Sequence, residues 1–108
     1  MRYSVKSLKA GDEVGICYYD NIYYAKFVEM NSVNSIIIDR QGRRNIVTTG
    51  VVFKPTNEIK SLEQKVRRLK MDADSCKYIP QLAYKANSDF KHAQSRLQYL
   101  VRLNLYSV

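Results

Sequence analysis

The sequence predicts an α+β fold: a small five-stranded barrel over residues 1–55, then a helical hairpin or long kinked helix over residues 56–108. Three observations carry this. Short runs of β-branched and aromatic residues recur between Glu13 and Phe53, each bounded by a turn signal, as in a small and strongly bent sheet. After Pro55 the apolar period changes from two to about 3.6. Between them sits Gly11–Met30, GDEVGICYYDNIYYAKFVEM, with four tyrosines crowded around an Asp20-Asn21 turn; the barrel is organised around this stretch.

Taken in order, Met1–Ala10 is a lead-in anchored by Val5 and Leu8. Glu13–Tyr18 alternates, with Val14, Ile16 and Tyr18 on one face. Ile22–Met30 continues the alternation, Tyr23, Ala25, Phe27 and Glu29 on one side and Ile22, Tyr24, Lys26, Val28 and Met30 on the other. Ile36-Ile37-Ile38 is a third strand, Asp39–Arg43 a hairpin loop with Gly42 free to take positive φ, Asn45–Thr49 a fourth strand and Val51–Phe53 a fifth. Thr56 or Asn57 caps the first helix, whose stripe is Ile59, Leu62, Val66, Leu69, Ala73 and Cys76. Pro80 starts the second, with a stripe through Leu82, Ala86, Phe90, Ala93, Leu97 and Leu100 or Val101. Val66 and Leu69 are expected to be buried, within one chain or in a homodimer seam through residues 59–101, with Leu69→Ala costing about 2–5 kcal/mol.

The chain carries 18 Lys+Arg against 10 Asp+Glu, a formal charge of +8 and a pI near 9.6, with the excess in both halves. That balance favours a polyanion or an acidic protein surface as partner and excludes a nucleic-acid mimic. No apolar run approaches a membrane span, and the first residues lack a signal-peptide pattern; a cytoplasmic or nuclear location without membrane partners is the expectation. Cys17 and Cys76 stand in no metal-ligand spacing and read as free thiols. His92 has Asp89 one turn before it and no further ligand nearby in sequence. With the glycines dispersed and no acid–base pair, neither catalysis, a metal site nor a cofactor is expected.

Residues 11–55 resemble the Tudor type of SH3-like barrel. The resemblance is carried by Gly11-Asp12-Glu13-Val14, Tyr18-Tyr19-Asp20, Tyr23-Tyr24-Ala25-Lys26 with Val28, Ile36-Ile37-Ile38-Asp39 with Gly42, and Val51-Val52-Phe53-Lys54-Pro55. In that family four aromatics form a cage for a methylated Lys or Arg, which binds because ring faces attract a desolvated cation. Tyr18 and Tyr23 match two cage positions; the other two fall at Asp39 and the Arg40–Arg43 loop, where no aromatic stands. The sequence thus points elsewhere, to a nucleic-acid-binding module. Its phosphate contacts are Arg40, Arg43 and Arg44 on the loop and Lys60, Lys65, Arg67, Arg68 and Lys70 on the helix, with Tyr18, Tyr19, Tyr23 and Tyr24 for base stacking or for packing the barrel rim. The alternative is a protein-interaction adaptor, or a small inhibitor of a host complex, acting through the helical stripes and the tyrosine-rich rim.

Overall fold

The computed structural model describes residues 3–76 and 78–107. In chain order the strands are β1 (Tyr3–Ser4), β2 (Glu13–Tyr18), β3 (Asn21–Ser32), β4 (Ser35–Arg40), β5 (Arg43–Thr48), β6 (Val52–Phe53) and β7 (Tyr106–Ser107). Two helices, α1 (Asn57–Ser75) and α2 (Pro80–Leu103), lie between β6 and β7. The chain divides into two compact units, residues 1–55 with 101–108, and residues 56–100.

The first unit is built on one antiparallel sheet ordered β5-β4-β3-β2-β6. Its hydrogen bonding is open: β5 and β6 are the two edges and do not pair with each other. Val14, Ile16, Ala25, Phe27, Ile36, Ile38 and Val52 make the buried core, joined by Val5 from the lead-in and Tyr106 from the far end of the chain. The sequence carries no clear signal for β1 and β7, two residues each, which pair in parallel with Tyr3 opposite Tyr106 and Ser4 opposite Ser107. This ribbon ties the two ends of the chain to the sheet unit.

β3 runs for 12 residues and shifts register against β4 twice, between Phe27 and Glu29 and between Met30 and Ser32. Phe27 faces Ile38 while Glu29 faces Ile37, so Val28 is an extra residue, a bulge that bends the strand. Beyond the bulge the side chains exchange faces. Glu29 lies with Ile37 and Met30 with the buried Ile36, the reverse of the period-two expectation.

Gly15 lies within β2. It stands between Tyr24 and Phe53 in register. The fully buried Phe53 ring lies over it, and Tyr24 meets that ring edge-on at 6.4 Å. An aromatic covering a cross-strand glycine restores the apolar cover that the glycine itself lacks.

In the second unit, the Thr56 hydroxyl accepts from Ile59 N at 3.1 Å and caps α1, and Pro80 occupies the first position of α2. Cys76 and Ile79 close the turn between the helices with a 3.0 Å backbone bond. Burial along the stripes is uneven. Ile59, Ala73 and Leu97 are buried, whereas Leu62, Val66 and Leu69 are half-buried, short of the expected sealed seam. Ile59→Ala is therefore expected to cost about 2–5 kcal/mol and Leu69→Ala about half as much, read by chemical denaturation.

Candidate nucleic-acid interface

Two hairpin tips lie at the same end of the sheet, because β2 and β4 both run toward it. The first has Tyr18 opposite Asn21 around Tyr19-Asp20; the second has Arg40 opposite Arg43 around Gln41-Gly42. Gln41 and Gly42 both have positive φ, 56° and 84°. That is the two-residue turn whose twist matches flanking strands, and Gly42 meets it without a Cβ penalty. The Asp39 carboxylate locks the loop by accepting from Gly42 N at 2.9 Å.

Register decides which side chains meet. Lys26 faces Asp39, which sets Ala25 level with Arg40 and Tyr23 two residues beyond it. A strand rises about 3.3 Å per residue, a distance a long side chain spans. The Arg40 guanidinium lies over the Tyr23 ring with Cζ 4.4 Å from its centroid. The contact is worth about 0.5–1 kcal/mol at an exposed site and fixes the direction of the guanidinium fork. Arg43 pairs with Arg40 and shares its face. Arg44 goes to the opposite face, at the end of a cross-strand row of alternating charge: Glu13, Lys26, Asp39, Arg44. The three loop arginines are therefore split two and one.

Beyond Tyr23, the longer hairpin carries Tyr18 and Tyr19 into solvent. Their rings pack edge-to-face at 4.8 Å, and Tyr19 is 82% exposed. Tyr19 has φ 56°, a conformation that bulky residues seldom adopt, and the Cys17 thiol donates to its carbonyl at 3.5 Å. Tyr24 belongs to another environment, half-buried on the Phe53 side of the sheet. Of the four tyrosines, Tyr18, Tyr19 and Tyr23 stand at the arginine-bearing end and Tyr24 serves packing. Of the two matched cage positions, Tyr23 thus has one ring face covered by Arg40, while Tyr18 packs edge-to-face with Tyr19.

The helical cations stand on α1, in the second unit. Arg67 pairs with Glu63 at 2.7 Å, the i,i+4 geometry its spacing allows, and Lys60 is half-buried. Lys65, Arg68 and Lys70 are exposed; Lys65 and Arg68 border a shallow hollow with Leu69, Met71 and Asp72. His92 is exposed on α2, beside Tyr84 and Lys91.

A second aromatic group sits where the chain ends meet. Tyr3 and Tyr106 lie 5.8 Å apart, with Asp12 and Glu13 bordering the same hollow. Lys54 places its Nζ 4.7 Å from the Tyr3 ring centroid and so fills the cation position there. Burial pushes the Tyr106 phenol above its ordinary pKa, with the charges of Asp12 and Tyr3 adding to the effect.

Among the described residues, no three of His, Cys, Asp and Glu gather as metal ligands, and no helix is long and apolar enough to cross a membrane. Comparison with family models, with curated proteins and with solved structures finds no match.

Proposed function

We propose that this protein is a non-enzymatic, basic nucleic-acid-binding module of the cytoplasm or nucleus. One observation carries the reading: a tyrosine-stacked arginine, Arg40 on Tyr23, with Arg43 beside it, at the end of the sheet from which Tyr18 and Tyr19 project. Arginine forks hold phosphate oxygens, and exposed tyrosine rings offer a stacking surface to unpaired bases. The net charge of +8 adds attraction at longer range. We also propose that the sheet unit is an SH3-like barrel in its strand order. Three antiparallel hairpin connections, followed by a short 3-10 turn (Thr49–Val51) and a strand returning beside the first, support this. The helices are proposed to form a hairpin.

The test is a fluorescence titration with single-stranded and duplex DNA and RNA of fixed length across a salt series. Affinity should be highest for single strands and fall steeply with salt. Replacing Arg40 and Arg43 together by Ser should lower the salt slope by up to about two units, and Arg44→Ser by less, since Arg44 lies on the face away from Tyr18 and Tyr23. Melting temperature should barely move, because exposed charges contribute little to stability. An unchanged slope in the Arg40, Arg43 double variant would remove the loop from the site.

The half-buried middle of the α1 stripe, with Ile79 and Leu82 exposed, favours a second reading. In it the helical unit pairs with a partner protein or with a second copy through residues 59–101. A melting temperature that rises with protein concentration would identify the self-pairing form.

A further inference from the structure

The arginine-bearing hairpin leaves one feature that phosphate binding does not use, the outer edge of β5. Among the described residues β5 pairs with β4 alone. A two-residue loop makes its flanking pair the hydrogen-bonded one, here Arg40 with Arg43. Bonded pairs then alternate, so Asn45 bonds Ile38 and Val47 bonds Ile36. The N–H and C=O groups of Arg44 and Ile46 and the N–H of Thr48 consequently point away from the sheet, while the Thr48 carbonyl caps the 3-10 turn Thr49–Val51. Protein edges are commonly blunted by proline, a bulge or charge. β5 has no proline, its register with β4 is unbroken, and its charge is confined to Arg43 and Arg44 at the start. The later half is uncharged, and Ile46 is 61% exposed on the same face as Arg44.

We propose that the free edge of β5 takes an extended, acidic segment of a partner protein as an added antiparallel strand. The N–H and C=O groups of Arg44 and Ile46, with the N–H of Thr48, supply the ladder. Acidic side chains near the segment's C-terminal end lie against Arg43 and Arg44, and β-branched ones lie against Ile46 and Val47. Strand addition of this kind draws affinity from main-chain bonds and selectivity from alternate side chains. Charge selects the occupant. Two copies of this chain, each at +8, repel one another. A single six-residue strand pair also buries less than the roughly 1,200 Å² of a standard stable interface. An acidic segment gains from the same charge.

The probe is a fluorescein-labelled ten-residue peptide, a Val/Thr half followed by a Glu half, titrated against the whole protein and followed by amide exchange. Binding should protect the Ile46 and Thr48 amides. The same peptide with Lys in place of Glu should not bind. Ile46→Pro deletes an outward N–H while sparing the bonds to β4, and should weaken binding at least about tenfold while leaving oligonucleotide affinity unchanged. Should that variant fold poorly, the unaltered protein with a peptide N-methylated at alternate residues decides, with the same tenfold loss expected. The proposal is overturned by no binding, by equal binding of the N-methylated peptide, by protection elsewhere on the chain, or by Ile46 and Thr48 amides already protected in a sedimenting dimer.

Discussion

Gly15→Ala should destabilise this protein by about 3 kcal/mol or more, a large part of the 5–15 kcal/mol that holds a typical domain together. A Cβ at Gly15 would come within 3.0 Å of three ring carbons of Phe53. The ring is fully buried, so it has no free direction in which to turn. Relief must come from spreading β2 from β6, which are joined by only two residue pairs, Gly15 with Phe53 and Ile16 with Val52. Thermal melting should fall by about 10 °C or more. The two sites should also be strongly coupled. Phe53→Leu removes the ring, so Gly15→Ala added to it should cost far less than it does alone. A melting temperature within about 2 °C of the parent would show that Phe53 does not seal this position.

Gly15 shows where the sequence stopped being legible. A glycine inside an alternating run reads as a weakness of the strand, and nothing local reveals that a residue 38 positions later covers it. The five strands of the sheet, the Thr56 cap and the start of α2 at Pro80 were legible because their signals are local: periodicity, a capping hydroxyl, a proline. The β1–β7 ribbon was not, since it joins two-residue segments from opposite ends of the chain. The bulge at Val28 was hidden for a related reason, because an extra residue is defined only against the partner strand. At the candidate site, the arginines and tyrosines could be named from their types. Their division could not, because it depends on register: Arg40 and Arg43 with Tyr23 on one face, Arg44 with Asp39 on the other. The outward backbone of β5 was likewise hidden until strand order made β5 an edge.

Tyr19→Gly should leave the fold as stable as the parent or make it more stable, yet weaken single-stranded oligonucleotide binding by about tenfold. The two halves of this expectation have separate origins. Left-handed backbone costs a non-glycine residue roughly 1–2 kcal/mol, and Tyr19 holds φ 56° at the tip of an exposed hairpin. Its ring returns little of that cost through packing, being 82% exposed with its edge contact to Tyr18. Glycine takes the same φ without a Cβ penalty, and its greater freedom in the unfolded chain offsets part of the gain. Strain kept at a solvent-facing position signals a use for the side chain there. In the proposed mode that use is base stacking, worth about 1–3 kcal/mol per base, equivalent to a loss of about fivefold to 150-fold in affinity. Removing both Tyr18 and Tyr19 should lower affinity further while leaving the salt slope nearly unchanged, since neither ring neutralises a phosphate. The arginine variants should do the reverse. A Tyr19→Gly protein that melts well below the parent while binding equally would assign the ring to the fold and take the hairpin tip out of the interface.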